Sequence, residues 1–71
     1  MFQDRIKQLR TEKGLSQTEM GNRIGLSQKQ ISHLEVGRNE PDLKTICKYC
    51  EYFNVSADYL LGLIGEAHPL K

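Results

Sequence analysis

Seventy-one residues, 38% hydrophobic and 27% charged, suffice for one small globular domain with a modest core and leave no room for a separate catalytic domain. No apolar run approaches the ~20 residues of a membrane span, and the start MFQDRIKQLR has an acidic residue and no apolar stretch of a secretory signal, so a cytoplasmic protein is expected. The net charge of +1 says little, but residues 1–38 hold seven basic and four acidic side chains and residues 39–71 three and five, so a polyanion would meet the amino-terminal half.

Phe2, Ile6 and Leu9 recur at helical spacing and predict a first amphipathic helix that stops near Lys13-Gly14. Ser16 with Glu19 three residues on is a capping box, so a second helix starts at Gln17, runs through Met20 and Ile24, and ends at Gly25. Leu26 follows as a buried turn residue. Ser27 with Gln30 repeats the signature and opens a third helix, which carries Ile31 and Leu34 inward and stops at Gly37. Two capped helices joined so tightly must cross steeply.

Pro41 excludes helix before it and Asp42 is a plausible cap; Leu43, Ile46, Tyr49, Cys50 and Phe53 then mark a fourth helix of about three turns. Asn54 breaks that helix, Ser56 caps a short fifth one, and Leu60 and Leu61 are expected to close the core before Gly62. Residues 1–62 thus form the domain and residues 63–71 an irregular tail. With no strand alternation, repeat or low-complexity segment, the expected class is all-α with five helices.

A helix-turn-helix needs a small residue where its second helix crosses the first, a glycine in the turn, and apolar locks between the two. Gly21, Gly25 and the set Met20, Ile24, Leu26, Ile31 and Leu34 stand at those offsets. The stretch SQTEMGNRIGLSQKQISHLEVGRNEP therefore resembles the lambda-repressor/Cro-type helix-turn-helix, the group named for the xenobiotic response element. IKQLRTEKGLS before it and PDLKTICKYCEYFNVSADYLLG after it resemble that group's first, fourth and fifth helices, so the likeness covers residues 5–62. It implies a compact five-helix, lambda-repressor-like fold with its helix-turn-helix at helices two and three. Met20-Gly21 stands where Leu-Ala is commoner; Gly21 should cost about 1 kcal/mol of helix propensity against Ala.

At 100° per residue, Ile31, Leu34 and Glu35 share one side of the third helix and Gln28, Lys29, Ser32 and His33 the other. Polar residues outside are what any surface helix shows, so the arc alone decides little. In this motif, however, the early residues of the second of its two helices enter the major groove, where Gln matches adenine and Lys reaches guanine. The resemblance assigns base reading to Gln28, Lys29 and His33, with Ser32 touching base or backbone. Gln17, at a helix N-terminus, is the leading phosphate ligand, and Arg10, Arg23, Arg38 and Asn39 are further candidates. Exchange of Gln17 is then expected to weaken binding to all sequences alike. Arg10 and Glu35 also have a structural reading, as a partly buried bidentate ion pair that the resemblance implies as well.

Cys47 and Cys50 lack a second pair, and His33 and His68 do not form a zinc-type His pair, so no metal is expected. Cys50 reads as a small core residue, with Cys47 at the edge of the apolar arc. No catalytic motif is present, and neither an enzyme nor a cofactor nor a small-molecule ligand is expected.

The combined reading is a sequence-specific regulator of double-stranded DNA, a repressor acting as a homodimer on a pseudo-palindromic operator. Tyr59, Leu63 and Ile64 are the apolar residues left for the dimer contact. The alternative is an antitoxin-like protein-interaction module that keeps the fold.

Overall fold

In the computed structural model, which describes residues 2–67 and 69, the chain forms five helices: α1 (Phe2–Glu12), α2 (Gln17–Ile24), α3 (Gln28–Glu35), α4 (Leu43–Phe53) and α5 (Ala57–Leu60). No strand occurs among the described residues, and no helix is long and apolar enough to cross a membrane. Met1 of the expected domain and His68, Leu70 and Lys71 of the expected tail lie outside the described residues.

Both halves of the central motif start on reciprocal caps. Ser16 Oγ accepts from Glu19 N at 3.0 Å while Glu19 Oε1 accepts from Ser16 N at 2.9 Å; Ser27 and Gln30 do the same at 3.1 and 2.9 Å. Each box satisfies two N–H groups that an α-helix leaves open, which lets two short helices start within eleven residues of each other. Asp42 and Ser56 cap α4 and α5 in the simpler one-sided way. Gly25 ends α2 at φ 77°, a left-handed conformation that costs glycine no steric penalty.

Gly21 has a second reason to lack a side chain. A β-carbon built there would fall on the Leu26 carbonyl, with the Ser27 carbonyl carbon 3.3 Å away. The turn backbone therefore packs directly on α2. The propensity cost expected at Gly21 is the smaller effect, because Ala in its place would push the two helices apart.

Ile6, Met20, Ile31, Tyr49 and Leu60 are fully buried, one from each of the five helices, and Phe2, Ile24, Leu34, Cys50 and Val55 complete the core. Burial of such side chains contributes about 1.5–3 kcal/mol each. Phe2 packs edge-on against Tyr49 with ring centroids 5.9 Å apart, and Phe53 stacks on the same ring at 6.1 Å. Two leucines depart from expectation. Leu61 follows the last turn of α5 and is 37% exposed, so Leu60 closes the core without it. Leu43 is 82% exposed: it is the first residue of α4, and its side chain leans towards the helix start, beyond the layer that Ile46 and Tyr49 meet.

Candidate nucleic-acid interface

The N-termini of α2 and α3 come together through their first residues. Gln28 Nε2 donates to Gln17 Oε1 at 2.7 Å, and Gln17 Nε2 donates to Glu35 Oε1 at 3.1 Å. Behind them Glu35 receives the guanidinium of Arg10, Nε on Oε2 at 2.6 Å and Nη2 on Oε1 at 2.9 Å. A third Arg10 donor, Nη1, reaches the Leu15 carbonyl at 2.7 Å. A polar chain thus runs from the exposed Gln28 through half-buried Gln17 to an ion pair whose members are only 9% and 7% exposed.

The hydrogen bond to Glu35 raises the Arg10 guanidinium above its ordinary value, outweighing the opposing effect of burial. Tyr49 borders this pair: burial above all, then the Glu35 charge, holds its phenol far above the usual range, and its Oη has no hydrogen-bond partner among the described residues. The phenol therefore stays neutral and adds no charge to the pair.

These contacts revise one assignment. Arg10 had a place among the phosphate ligands as well as in an ion pair; with its three nitrogens donating inward and 9% exposure, it is turned away from any bound polyanion. The remaining positions divide. Lys29, Arg38 and Asn39 are exposed, and Ser32 and His33 are half-buried on α3. Asn39 Nδ2 lies 3.4 Å from His33 Nδ1, which ties the loop after α3 to that helix. Arg23 stands six residues beyond Gln17, about 9 Å along α2. Its Nη1 donates to Tyr52 Oη at 3.2 Å, so it is not brought into the cluster. Tyr52 also carries Lys13, whose Nζ sits 5.1 Å from the ring centroid.

At the other end of the chain, Leu63 is 71% exposed, while Tyr59 and Ile64 are half-buried. Arg5 explains the latter two. Its Nη1 donates to the carbonyls of Tyr59 and Ile64 at 2.8 and 2.9 Å, and its guanidinium lies over the Tyr59 ring at 4.2 Å. Cys47 is exposed and Cys50 buried, and burial pushes the Cys50 thiol up and away from the reactive thiolate. Among the described residues no group of three or more His, Cys, Asp or Glu is placed to hold a metal ion.

Sequence reasoning missed Arg5 and the Gln17–Glu35 bond. The Gln17–Gln28 contact did leave a trace: each glutamine directly follows the capping serine of its helix.

A family model described as a helix-turn-helix matches residues 6–60. The chain belongs to the lambda-repressor/Cro-type helix-turn-helix family. Within this family, the SPbeta prophage-derived HTH-type transcriptional regulator YonR of Bacillus subtilis strain 168 is 43% identical over 61 residues, which make up 86% of this chain and 56% of YonR. The biofilm master regulator SinR, solved in complex with DNA, superposes with a TM-score of 0.77 at 32% identity, over 86% of this chain and 98% of that one. The P22 c2 repressor, solved with a synthetic operator, superposes with a TM-score of 0.78 at 27% identity, over 84% and 91%. The helix-turn-helix chain spans about half the length of the curated relatives it matches, 56%, 57% and 46% of the first three.

Proposed function

We propose that this chain is the DNA-reading part of a transcriptional repressor that binds double-stranded DNA. The observation that carries the reading is the joining of two capped helix N-termini, with Gln28 exposed and held by Gln17, and Gln17 held by Glu35. Helix N-termini present free N–H groups and the positive end of a dipole, so the α2 start suits a phosphate and the α3 start suits a base edge. SinR and the P22 c2 repressor, both solved on DNA, share the fold and support the same reading.

In this reading Gln28 and Lys29 meet base edges, His33 joins them, and Ser32 touches base or backbone. Gln17 uses the Nε2 hydrogen not given to Glu35 on a phosphate, with Arg38 and Asn39 as the adjoining backbone ligands. One module of this size buries a limited interface, so two copies act on a pseudo-palindromic site with half-sites about one helical turn apart. Leu63, the most exposed of the three residues considered for the dimer contact, is its centre, with Tyr59 and Ile64 at its edge. Such a protein works in the cytoplasm, where the DNA is.

Selection from random duplexes, followed by affinity at several salt concentrations, tests the reading. An enriched two-fold motif with affinity falling steeply in salt is expected. Recovery of no motif, with salt-independent binding, overturns it. Sedimentation of Leu63→Asp against the parent tests the dimer: the parent should associate and the variant should not.

A further inference from the structure

We propose that Glu35, buried behind Gln17, sets the base preference of Gln28 by dictating which end of its amide faces outward. This rests on the assignment of Gln28 to base reading and adds to it the choice of base.

The inference follows from counting donors along the chain of contacts. Glu35, paired with Arg10, is a carboxylate and only accepts. The Gln17 amide must therefore turn its Nε2 towards Glu35, as it does at 3.1 Å. That leaves Gln17 Oε1 on the opposite side, where it also only accepts. Gln28 must meet it with Nε2, as it does at 2.7 Å. Each amide thus inherits its polarity from the one behind it, and the first is fixed by a buried ion pair that cannot turn over.

At the exposed end this leaves Gln28 with Oε1 free to accept and one Nε2 hydrogen free to donate. Adenine offers the complement, a donor at N6 and an acceptor at N7. Guanine offers two acceptors, O6 and N7, so the free Oε1 would face an acceptor. Had the relay run the other way, Gln28 would show two N–H groups and suit guanine instead. Glu35 is thus a positioning residue that touches no base.

The test uses the whole chain and the duplex recovered by selection, with all four bases placed at each position. Q28A first identifies the base pair that Gln28 reads. The Oε1 that Gln17 meets also receives Arg10 Nη2 at 2.9 Å, so an amide at position 35 can turn only if the arginine is replaced as well; R10M/E35Q does this and lets either end of that amide face Gln17. At that one base pair R10M/E35Q should cut an adenine-over-guanine preference of about tenfold to below about threefold, leaving other positions as they were. Q17M keeps the side-chain length and removes the relay, so a preference of about tenfold should fall below about threefold there, beside a uniform loss of affinity.

Far-UV circular dichroism establishes that each variant is folded; should R10M/E35Q not fold, Q17M decides alone. An adenine preference at that base pair unchanged in Q17M, or unchanged in folded R10M/E35Q, overturns the inference while Gln28 remains a reader. A Q28A variant that alters no position overturns the base-reading assignment itself, and the inference with it.

Discussion

Two arginines of α1 fasten different parts of this molecule, and they do so by different physics. Arg10 meets a carboxylate almost out of solvent, with three nitrogens each committed to a partner. Arg5 meets two carbonyls and an aromatic face while half-exposed. A buried charge pair is demanding, because desolvation makes any lost partner expensive, but it permits only one geometry. A half-exposed cation on carbonyl dipoles tolerates movement because water can take over. The rigid device stands behind Gln17 and Gln28, where orientation matters, and the tolerant one holds the segment after α5.

The difference can be broken from either side. Glu35→Ala leaves the Arg10 guanidinium buried without a counter-charge and should destabilise the fold by about 3–5 kcal/mol in urea unfolding. An effect under about 1 kcal/mol would mean that water replaces Glu35 as easily as it replaces an exposed partner. Arg5→Ala removes two half-exposed charged hydrogen bonds and a cation–π contact and should cost about 1.5–2 kcal/mol, discounted for solvent. Base preferences of Arg5→Ala should match those of the parent protein, since Arg5 spends its hydrogen bonds on the Tyr59 and Ile64 carbonyls. Ser27→Ala opens the cap of α3 and should cost about 1 kcal/mol, with affinity for DNA falling as the N-terminus frays.

The smallest effect concerns pH and separates exposed caps from the buried pair. Hydrogen bonds from Ser16 lower the Glu19 carboxyl below its ordinary 4.5, and those from Thr45 lower Asp42 below 3.8. A depressed carboxyl adds stability that is complete above its unfolded value and is lost as pH falls through the folded one. Melting temperature should therefore decline slightly below about pH 4 from these caps. Arg10 works in the opposite sense: its value, raised by the hydrogen bond to Glu35, keeps its own contribution complete far above neutral pH, so the range from pH 5 to 10 leaves it untouched. Glu19→Gln and Asp42→Asn should flatten the acid slope, and scanning calorimetry at several pH values would measure it.

The same contrast governs what could be read in advance. Capping boxes act over three residues, so Ser16-Glu19 and Ser27-Gln30 were legible, and with them the starts of α2 and α3. Periodicity placed Ile6, Met20, Ile31 and Tyr49 on buried faces. It misjudged Leu43 and Leu61, because a repeat states which side of a helix turns inward and not where the neighbouring layer ends. Arg10 was assigned both an inward and an outward role, since a helix-flanking arginine permits either until its surroundings are known.

By itself, then, the sequence determined five helices, the caps that start the last four, the close approach at Gly21 and the family, all matters of local chemistry or fixed offsets. Only the tertiary structure decided that Gln17 spans Glu35 and Gln28, that Arg10 is spent inward, and that Arg5 holds the chain after α5. Each of these bonds ties a side chain to a distant part of the chain, eleven to fifty-nine residues away. Such contacts depend on how the helices pack against one another, and the direction of a hydrogen bond along them depends on which partner can only accept.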